Sequence, residues 1–338
     1  MTIHNEDRSE PILRVKDLQT NFTTRAGIVT AVDGVSIDVY QGECLGVVGE
    51  SGSGKSVTFS SVMGLIKPPG KIVRGSIDFL GQDILNFSNK QYQSLRGKDI
   101  AMTMQDALTA LNPAYTVGDQ IMEVILAHDV DLTGSRRNRK KQAYTKTLEM
   151  MELVGIPSPS ARMDEYPHQF SGGMRQRIMI AIALACKPKI LIADEPTTAL
   201  DVTIQAQILE LIAGIRKELG MSVVLITHDL GVVSEYCDHV VVMYAGQIVE
   251  SGPTYDVVCN PLHPYTKGLI SSIPDLADLD RVIEPIPGQV PELINIPEGC
   301  RFYARCSEHT DACRVDIAMR QITEKRQARC VLHPEESK

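Results

Sequence analysis

The sequence predicts an α/β fold with a mixed sheet, an antiparallel β lobe, a helical subdomain and a small cysteine-containing C-terminal extension. Three observations support this expectation. A glycine-rich loop follows a short apolar run, two further apolar runs end in polar residues, and alternating segments dominate the start of the chain. Continuous apolar runs are typical of strands buried on both faces, whereas alternation is typical of half-buried strands.

Alternating apolar and polar residues predict a hairpin-like lobe in the first part of the chain. Gly27 and the pair Asp33-Gly34 are predicted turns between its strands. Phe22 falls in a polar stretch just after the first strand, where an aromatic ring either fills the core or stacks on a bound base. The three predicted strands comprise residues 13–15, 29–32 and 35–39.

The glycine-rich loop fits the pattern G-x-x-x-x-G-K-[ST] of phosphate-binding loops. Its glycines let the backbone turn tightly and aim N–H groups at the phosphates of a nucleotide. Lys55 adds a positive charge there, and Ser56 offers a hydroxyl to Mg²⁺. A helix begins at the loop, and its N-terminal dipole favours the same anion. The predicted nucleotide-binding residues of the loop are Gly49, Glu50, Ser51, Gly52, Ser53, Gly54, Lys55 and Ser56.

A long stretch between the phosphate loop and the next buried strand is predicted to be helical. Pro68-Pro69-Gly70 first breaks the helix that follows the loop. From Val117 to Leu153, apolar residues then recur at helical spacing. We expect a helical subdomain at about residues 106–176, and a helix from Met174 to Ala185 that follows Ser171-Gly172-Gly173.

Two carboxylates follow the next apolar run, residues 190–193. In open parallel sheets ligands bind beyond the carboxyl ends of the strands, so we expect both carboxylates at the nucleotide. Asp194 is placed to hold Mg²⁺ through water, and Glu195 to polarise the water that attacks the γ-phosphate. His228 follows a second apolar run, residues 222–227, and is expected to contact the same phosphate.

Composition and charge exclude several classes of protein. No apolar run is long enough to cross a bilayer, and the polar start of the chain lacks the apolar core of a signal peptide, which predicts a cytosolic location. The net charge of −8 argues against a general nucleic-acid-binding protein, because lysine and arginine bind the phosphate backbone. The basic run at 136–141 is expected to be a solvated helix start.

Further motifs resemble those of ATP-binding cassette (ABC) ATPases, from about residue 12 to residue 260. Residues 170–177 look like the signature motif of this family, and residues 197–201 look like its D-loop. Gln105 matches the Q-loop glutamine, and Phe22 falls where the family stacks an aromatic ring on adenine. Taken together, these motifs are far more specific than any one of them alone.

The resemblance implies that the chain binds ATP and Mg²⁺ and hydrolyses ATP. Its catalytic residues would be Glu195, His228 and Gln105. The Mg²⁺ ligands would be Ser56, Gln105 and Asp194. The Q-loop and the helical subdomain would be the contact surface for a membrane partner.

In the family two chains dock head to tail, and each ATP lies between the phosphate loop of one chain and the signature of the other. The signature residues here would be Ser171, Gly172 and Gly173, a second glycine-rich helix N-terminus. A lone monomer is therefore expected to be a poor ATPase. Met174 and Met104 depart from the family pattern, but neither position carries the catalytic chemistry.

The tail of the chain resembles the C-terminal extension of ATPase subunits from oligopeptide and dipeptide importers, at residues 263–269, 286–288 and 299–302. We therefore predict an ATPase domain at 1–263 and an extension at 264–338. The implied partners are a second ATPase subunit, favoured to be a paralogue, two permease subunits and an extracytoplasmic substrate-binding protein, without nucleic acid. The implied location is peripheral, on the cytoplasmic face of the inner membrane.

Other functions share parts of this pattern. An importer ATPase for another solute, such as a metal complex or an oligosaccharide, would carry the same motifs. A non-transport ABC ATPase shares the core, but it usually carries a long coiled-coil insert or two cassettes in one chain, and neither is present in this sequence. An exporter subunit is disfavoured by the tail.

Four of the eight cysteines lie in the tail, separated by five, six and sixteen residues: Cys300, Cys306, Cys313 and Cys330. Four thiolates suit either zinc or an iron–sulfur cluster. The short C-x-x-C pairs of structural zinc sites are absent from this set, and related importer subunits carry a [4Fe-4S] cluster on a matching set. We favour that cluster; the alternatives are zinc, with His333 as a substitute ligand, and free thiols.

Overall fold

A computed structural model of the chain describes residues 10–104, 110–129, 131–198, 200–273, 285–294, 296 and 298–333. The chain divides into two compact units. Unit 1 comprises Met1–Asn86 and Leu225–Lys338, and unit 2 comprises Phe87–Val224. None of the helices in the described ranges combines the length and the apolar character that a membrane span requires.

The helices and strands of the described residues are as follows. The first part of unit 1 contains β1 (Leu13–Thr24), β2 (Gly27–Val39), β3 (Cys44–Val48), α1 (Lys55–Val62), β4 (Gly70–Phe79) and β5 (Gln82–Asp83). Unit 2 contains α2 (Asn89–Leu95), β6 (Ile100–Thr103), α3 (Val117–His128), α4 (Arg136–Leu153), α5 (Pro159–Arg162), a 3₁₀ helix (Pro167–Gln169), α6 (Gly172–Leu184), β7 (Ile190–Asp194) and α7 (Val202–Leu219). Strand β8 (Ser222–Thr227) begins in unit 2 and ends in unit 1. The rest of unit 1 contains α8 (Leu230–Tyr236), β9 (His239–Tyr244), β10 (Gln247–Pro253), α9 (Thr254–Cys259), α10 (Pro264–Ser271), two 3₁₀ helices (Tyr303–Arg305 and Asp311–Arg314), β11 (Arg320–Thr323) and β12 (Arg326–Ala328).

The predicted antiparallel lobe is a four-stranded sheet of unit 1 with the order β2-β1-β4-β5. The predicted turn at Asp33-Gly34 is wrong, because β2 continues through both residues as one strand. The pairing of β1 with β2 shifts register between Val15 and Thr20, so the extra residues form an irregularity rather than a chain reversal. Gly34 has a φ of 66°, which glycine adopts readily. Phe22 lies within β1, which is longer than predicted.

The second sheet of unit 1 is mixed, as predicted. β3 pairs in parallel with β9, and β9 pairs antiparallel with β10. All five residues of β3 are buried, as expected for an internal strand of a central sheet. Ala245 and Gly246 form a two-residue hairpin turn between β9 and β10, with φ values of 47° and 85°.

Unit 2 combines a parallel strand pair with packed helices. β6 and β7 pair in parallel, and the apolar helix α6 packs against β6. The stretch predicted to be helical contains α3 and α4, which contact each other and α6. Thr116 and Ser135 cap these helices by accepting a backbone N–H in the first turn. The basic run at the start of α4 is largely exposed, as expected for a solvated helix start.

The tail joins the mixed sheet of unit 1 through strands and a buried ion pair. β12 pairs antiparallel with β10 and with β11. Glu250 on β10 is completely buried and accepts hydrogen bonds from the backbone N–H groups of Leu262 and His263. Its carboxylate also binds the guanidinium of Arg326 on β12 at 2.7 Å. The attachment of the tail therefore depends on charge pairing inside the protein.

We expect Arg326→Met to lower the free energy of unfolding by about 3 kcal/mol, because it leaves the buried Glu250 carboxylate without its counter-charge. Arg14→Met is the matched control, since Arg14 and Asp38 form an exposed pair on β1 and β2 whose loss should change stability by less than about 1 kcal/mol. Urea denaturation of both variants measures the difference. Equal losses in the free energy of unfolding of the two variants would show that burial of the Arg326 pair makes no extra contribution to stability.

Candidate functional site

The phosphate loop between β3 and α1 passes very close to neighbouring backbone. A Cβ added at Gly49, where φ is 152°, would lie 2.1 Å from the carbonyl oxygen of Met243. A Cβ at Gly54, where φ is 99°, would lie 2.5 Å from the carbonyl oxygen of Ala31. Because both obstacles are backbone atoms, these two positions accept only glycine.

Lys55 lies inside the loop and is buried. Its ammonium group donates hydrogen bonds to the carbonyl oxygens of Gly49 at 2.6 Å and Glu50 at 3.0 Å, and to the hydroxyl of Ser53 at 3.3 Å. Helix α1 begins at this residue, and Gly54 at its N-cap provides no side-chain hydrogen bond. The loop therefore combines a fixed positive charge with a helix N-terminus, which is the arrangement that binds phosphate.

Two residues of the tail hold Glu50 of the phosphate loop. The hydroxyl of Tyr265 accepts the backbone N–H of Glu50 at 2.8 Å. The guanidinium of Arg305 binds both carboxylate oxygens of Glu50, at 2.7 and 3.0 Å. Sequence reasoning placed neither tail residue at this loop, because the partners are more than 200 positions apart and no motif connects them.

Phe22 and His228 also belong to unit 1. Phe22 is half-buried, and its ring packs so closely on Gly70 that an added Cβ there would lie 2.6 Å from it. His228 is exposed and directly follows β8. The next residue, Asp229, caps α8 by accepting the N–H of Gly231 at 2.8 Å, so the backbone on the C-terminal side of His228 is fixed.

The two strand-end carboxylates belong to unit 2. Asp194 is the last residue of β7 and is buried. Glu195 has a φ of 45°, a left-handed conformation that a non-glycine residue adopts only when its surroundings hold it there. The hydroxyl of Thr198 donates to the Glu195 carboxylate at 2.9 Å and orients it. Sequence reasoning had not given Thr198 this role.

The signature residues lie at the N-terminus of α6 in unit 2. Ser171 caps this helix by accepting the N–H of Met174 at 3.3 Å. A Cβ added at Gly173 would lie 2.6 Å from Cγ2 of Ile204, so the start of α6 rests directly on α7. Gly172 and Ser171 are exposed. Gln105, the predicted Q-loop residue, lies outside the described residues.

The four tail cysteines line one small cavity of unit 1. Burial raises the pKa of Cys300 to about 11, and the neighbouring Cys313, Cys306 and Cys330 add to this rise. Burial also raises the pKa values of Cys306 and Cys330. Cys313 and Cys330 are buried, and Cys300 and Cys306 are partly buried, around the same cavity. Four thiols around one cavity are the type of donor that zinc sites and iron–sulfur clusters use.

Geometry gives a more limited result for the cysteines. Across the described part of the chain, no group of three or more His, Cys, Asp or Glu side chains is arranged to hold a metal ion. His333, the substitute ligand in the zinc alternative, has its Nε2 atom 2.9 Å from the carbonyl oxygen of Leu262. The described residues therefore show a cavity lined by four thiols and no metal-binding arrangement.

The chain matches two family models. The model described as ABC transporter matches residues 32–198, and the model described as oligopeptide/dipeptide transporter, C-terminal region, matches residues 249–313. Among solved structures, the chain is similar to the dimeric ATP-binding cassette MJ0796 in a post-hydrolysis state bound to ADP and Pi. The TM-score is 0.62 at 25% identity, over 72% of this chain and 98% of that chain. Fold and motifs define an ABC-type ATPase, an enzyme that binds and hydrolyses ATP.

Two relatives show to which group of ABC-type ATPases the chain belongs. The chain is 52% identical to the dipeptide transport ATP-binding protein DppD of Bacillus subtilis, over 90% of this chain and 89% of that protein. It is 46% identical to DppD of Escherichia coli, over 94% of this chain and 96% of that protein. The chain belongs to the family of ATP-binding subunits of dipeptide and oligopeptide transporters.

Proposed function

We propose that this chain is the ATPase subunit of a membrane importer for dipeptides or oligopeptides. The observation that carries the proposal is the match of residues 249–313 to the C-terminal region of peptide transporters, because the ATPase core alone is shared by transporters of many solutes. The subunit would bind at the cytoplasmic face of the inner membrane. It would act there with two permease subunits, a second ATPase subunit and an extracytoplasmic binding protein.

In this proposal the phosphate loop of unit 1 binds the β- and γ-phosphates of ATP. Lys55 would exchange its hydrogen bonds to loop carbonyls for hydrogen bonds to phosphate oxygens, since its ammonium already lies within the loop. The uncapped start of α1 would face the same anion. Phe22 would stack on adenine, for which its half-buried ring is suited.

The remaining site residues serve Mg²⁺ and catalysis in this proposal. Ser56, Gln105 and Asp194 would hold Mg²⁺, which would neutralise negative charge on the phosphates when bound. Glu195 would accept a proton from the attacking water, with Thr198 orienting its carboxylate. His228 would contact the γ-phosphate. These assignments rest on the motifs and, for Glu195, also on the hydrogen bond from Thr198.

In this proposal the signature residues contact the ATP that is bound by a second ATPase subunit. Ser171, Gly172 and Gly173 present an exposed, capped helix N-terminus, which would contact the ATP held by the phosphate loop of a partner ATPase subunit. The chain would accordingly divide into an ATPase domain at 1–263, with the helical subdomain at about 106–176 in contact with the permease, and the extension at 264–338. A paralogue is the favoured partner.

The cysteines of the tail would hold a [4Fe-4S] cluster as four thiolates. The support for this assignment is that all four line one cavity and that their thiols interact electrostatically. A bound cluster would cross-link a tail whose described strands are only three and four residues long. Its assembly would require the thiols to lose their protons, against the raised pKa of Cys300.

Glu195→Gln should bind ATP with nearly unchanged affinity and lose hydrolysis by at least about 100-fold, because an amide cannot accept the proton of the attacking water. Lys55→Ala is the contrasting variant and should weaken ATP binding itself. Fluorescence titration with an ATP analogue and phosphate release from the assembled transporter measure the two effects. Normal hydrolysis by Glu195→Gln would show that another residue polarises the water.

The importer proposal predicts that the tagged chain, purified from gently solubilised membranes of its native host, brings two multi-spanning permeases and a second ABC ATPase with it. Mass spectrometry identifies these partners, and a tagged protein of unrelated function from the same host controls for carry-over. Uptake of a labelled dipeptide should fall in cells that lack the chain. Recovery with ribosomes or nucleic acid and without permeases would overturn the transport function.

Iron and acid-labile sulfide should be found at about four atoms each per chain after anaerobic purification. Cys306→Ser should lower both, whereas Cys186→Ser, a substitution in unit 2, should lower neither. One zinc atom per chain without acid-labile sulfide would show that the cysteines form a zinc site and not an iron–sulfur cluster. Neither metal in the protein from its native host would mean that the cysteines are free thiols.

A further inference from the structure

The tail fixes one residue of the phosphate loop from two directions. Glu50 occupies a position of the loop motif where the pattern demands no particular residue. Its backbone N–H is nevertheless bound by Tyr265 on α10, and its carboxylate is bound by Arg305 at the end of a 3₁₀ helix. A main-chain and a side-chain anchor on one residue together determine where that residue lies.

Both anchors are themselves rigid. Tyr265 is completely buried, and its ring packs against those of Tyr244 and Phe302, with centroids 4.6 and 5.4 Å away. The guanidinium of Arg305 lies 5.7 Å from the Tyr244 ring centroid and 5.8 Å from that of Phe302. It also donates to the carbonyl oxygen of Pro287 at 2.8 Å. Both anchors of Glu50 therefore belong to one packed aromatic cluster.

The position of Glu50 in turn determines where other residues of the phosphate loop lie. Its carbonyl oxygen accepts hydrogen bonds from the ammonium of Lys55 at 3.0 Å and from the N–H of Ser53 at 3.2 Å. A shift of Glu50 would therefore displace the lysine that meets the phosphates. The path from Arg305 to Lys55 consists of contacts within unit 1 alone.

We propose that Arg305 and Tyr265 are positioning residues for ATP, which preorganise the phosphate loop by fixing Glu50. This inference rests on the proposed nucleotide site at the loop. The tail thereby becomes part of the ATPase machinery without touching the nucleotide. Because a bidentate contact fixes orientation as well as distance, a lysine at position 305 would restore only part of the effect.

The test measures binding of a fluorescent ATP analogue with Mg²⁺ by the purified full-length chain. Arg305→Met should raise Kd about tenfold, and Arg305→Lys should give an intermediate value, because it keeps the charge and loses the bidentate contact. Arg314→Met is the matched control, since Arg314 belongs to the same tail but pairs with Asp311 at the surface. Its Kd should equal that of the unmodified chain.

A purely structural role would give a different result. Arg305→Met would then lower the thermal midpoint of the nucleotide-free chain and leave Kd unchanged, which would overturn the proposal. In the assembled transporter, KM for ATP should rise in Arg305→Met while kcat at saturating ATP stays within about twofold. Tyr265→Phe keeps the buried ring and removes only the hydroxyl, and should raise Kd about threefold.

Two further variants keep the outcomes separate. If Arg305→Met does not fold, Glu50→Gln weakens the same contact from the loop side and should raise Kd similarly; an unchanged Kd would count against the proposal. Where both fold, the double variant should show no further rise, because the two changes act on one contact. If Lys55→Ala binds the ATP analogue with normal Kd, the assignment of the nucleotide site itself is wrong. If Lys55→Ala loses binding while Arg305→Met keeps the normal Kd, only the positioning role of Arg305 is overturned.

Discussion

The close approach of the phosphate loop to the hairpin of β9 and β10 is the constraint on which unit 1 depends. Parallel pairing with β9 directs β3 into the loop, and Gly49 then passes so near Met243 that no side chain fits. The hairpin turn continues this contact, since the N–H of Gly246 donates to the carbonyl oxygen of Ser53 at 2.9 Å. The loop is thus shaped by its neighbours as much as by its own glycines, and whatever holds the hairpin also holds the loop.

Charge pairing attaches the tail to this region. In the described residues of the tail, the longest helix has eight residues and the two strands have four and three, so they offer little continuous apolar face. The strands add only an edge to the mixed sheet. Arginines of the tail instead form ion pairs with carboxylates that lie far earlier in the chain. The side chains of these arginines are at least nine-tenths buried. Loss of the carboxylate from such a pair leaves a buried arginine without its counter-charge, which is strongly destabilising. The three pairs are Arg301 with Asp33, Arg305 with Glu50, and Arg326 with Glu250.

Sequence patterns predicted correctly those elements that depend on residues close together in the chain. The phosphate loop and the helices α3 and α4 follow from spacing and turn residues, and the structure has them where expected. Asp33-Gly34 was mistaken for a turn because the same residues that reverse a chain also permit an irregularity within a strand. The anchors of Glu50 could not be predicted, since an arginine more than 200 positions away carries no periodicity that marks its partner.

In unit 2, short-range contacts fix both the proposed catalytic carboxylate and the start of the signature helix. Glu195 is oriented by Thr198, and the backbone N–H of Thr198 also returns to the carbonyl oxygen of Glu195 at 3.2 Å. A few residues further on, Asp201 caps α7 by accepting the N–H of Ile204 at 3.0 Å. Ile204 is the residue on which Gly173 of the signature rests. Because a side chain at that glycine would force the helices apart, glycine is what allows the start of α6 to rest on the start of α7.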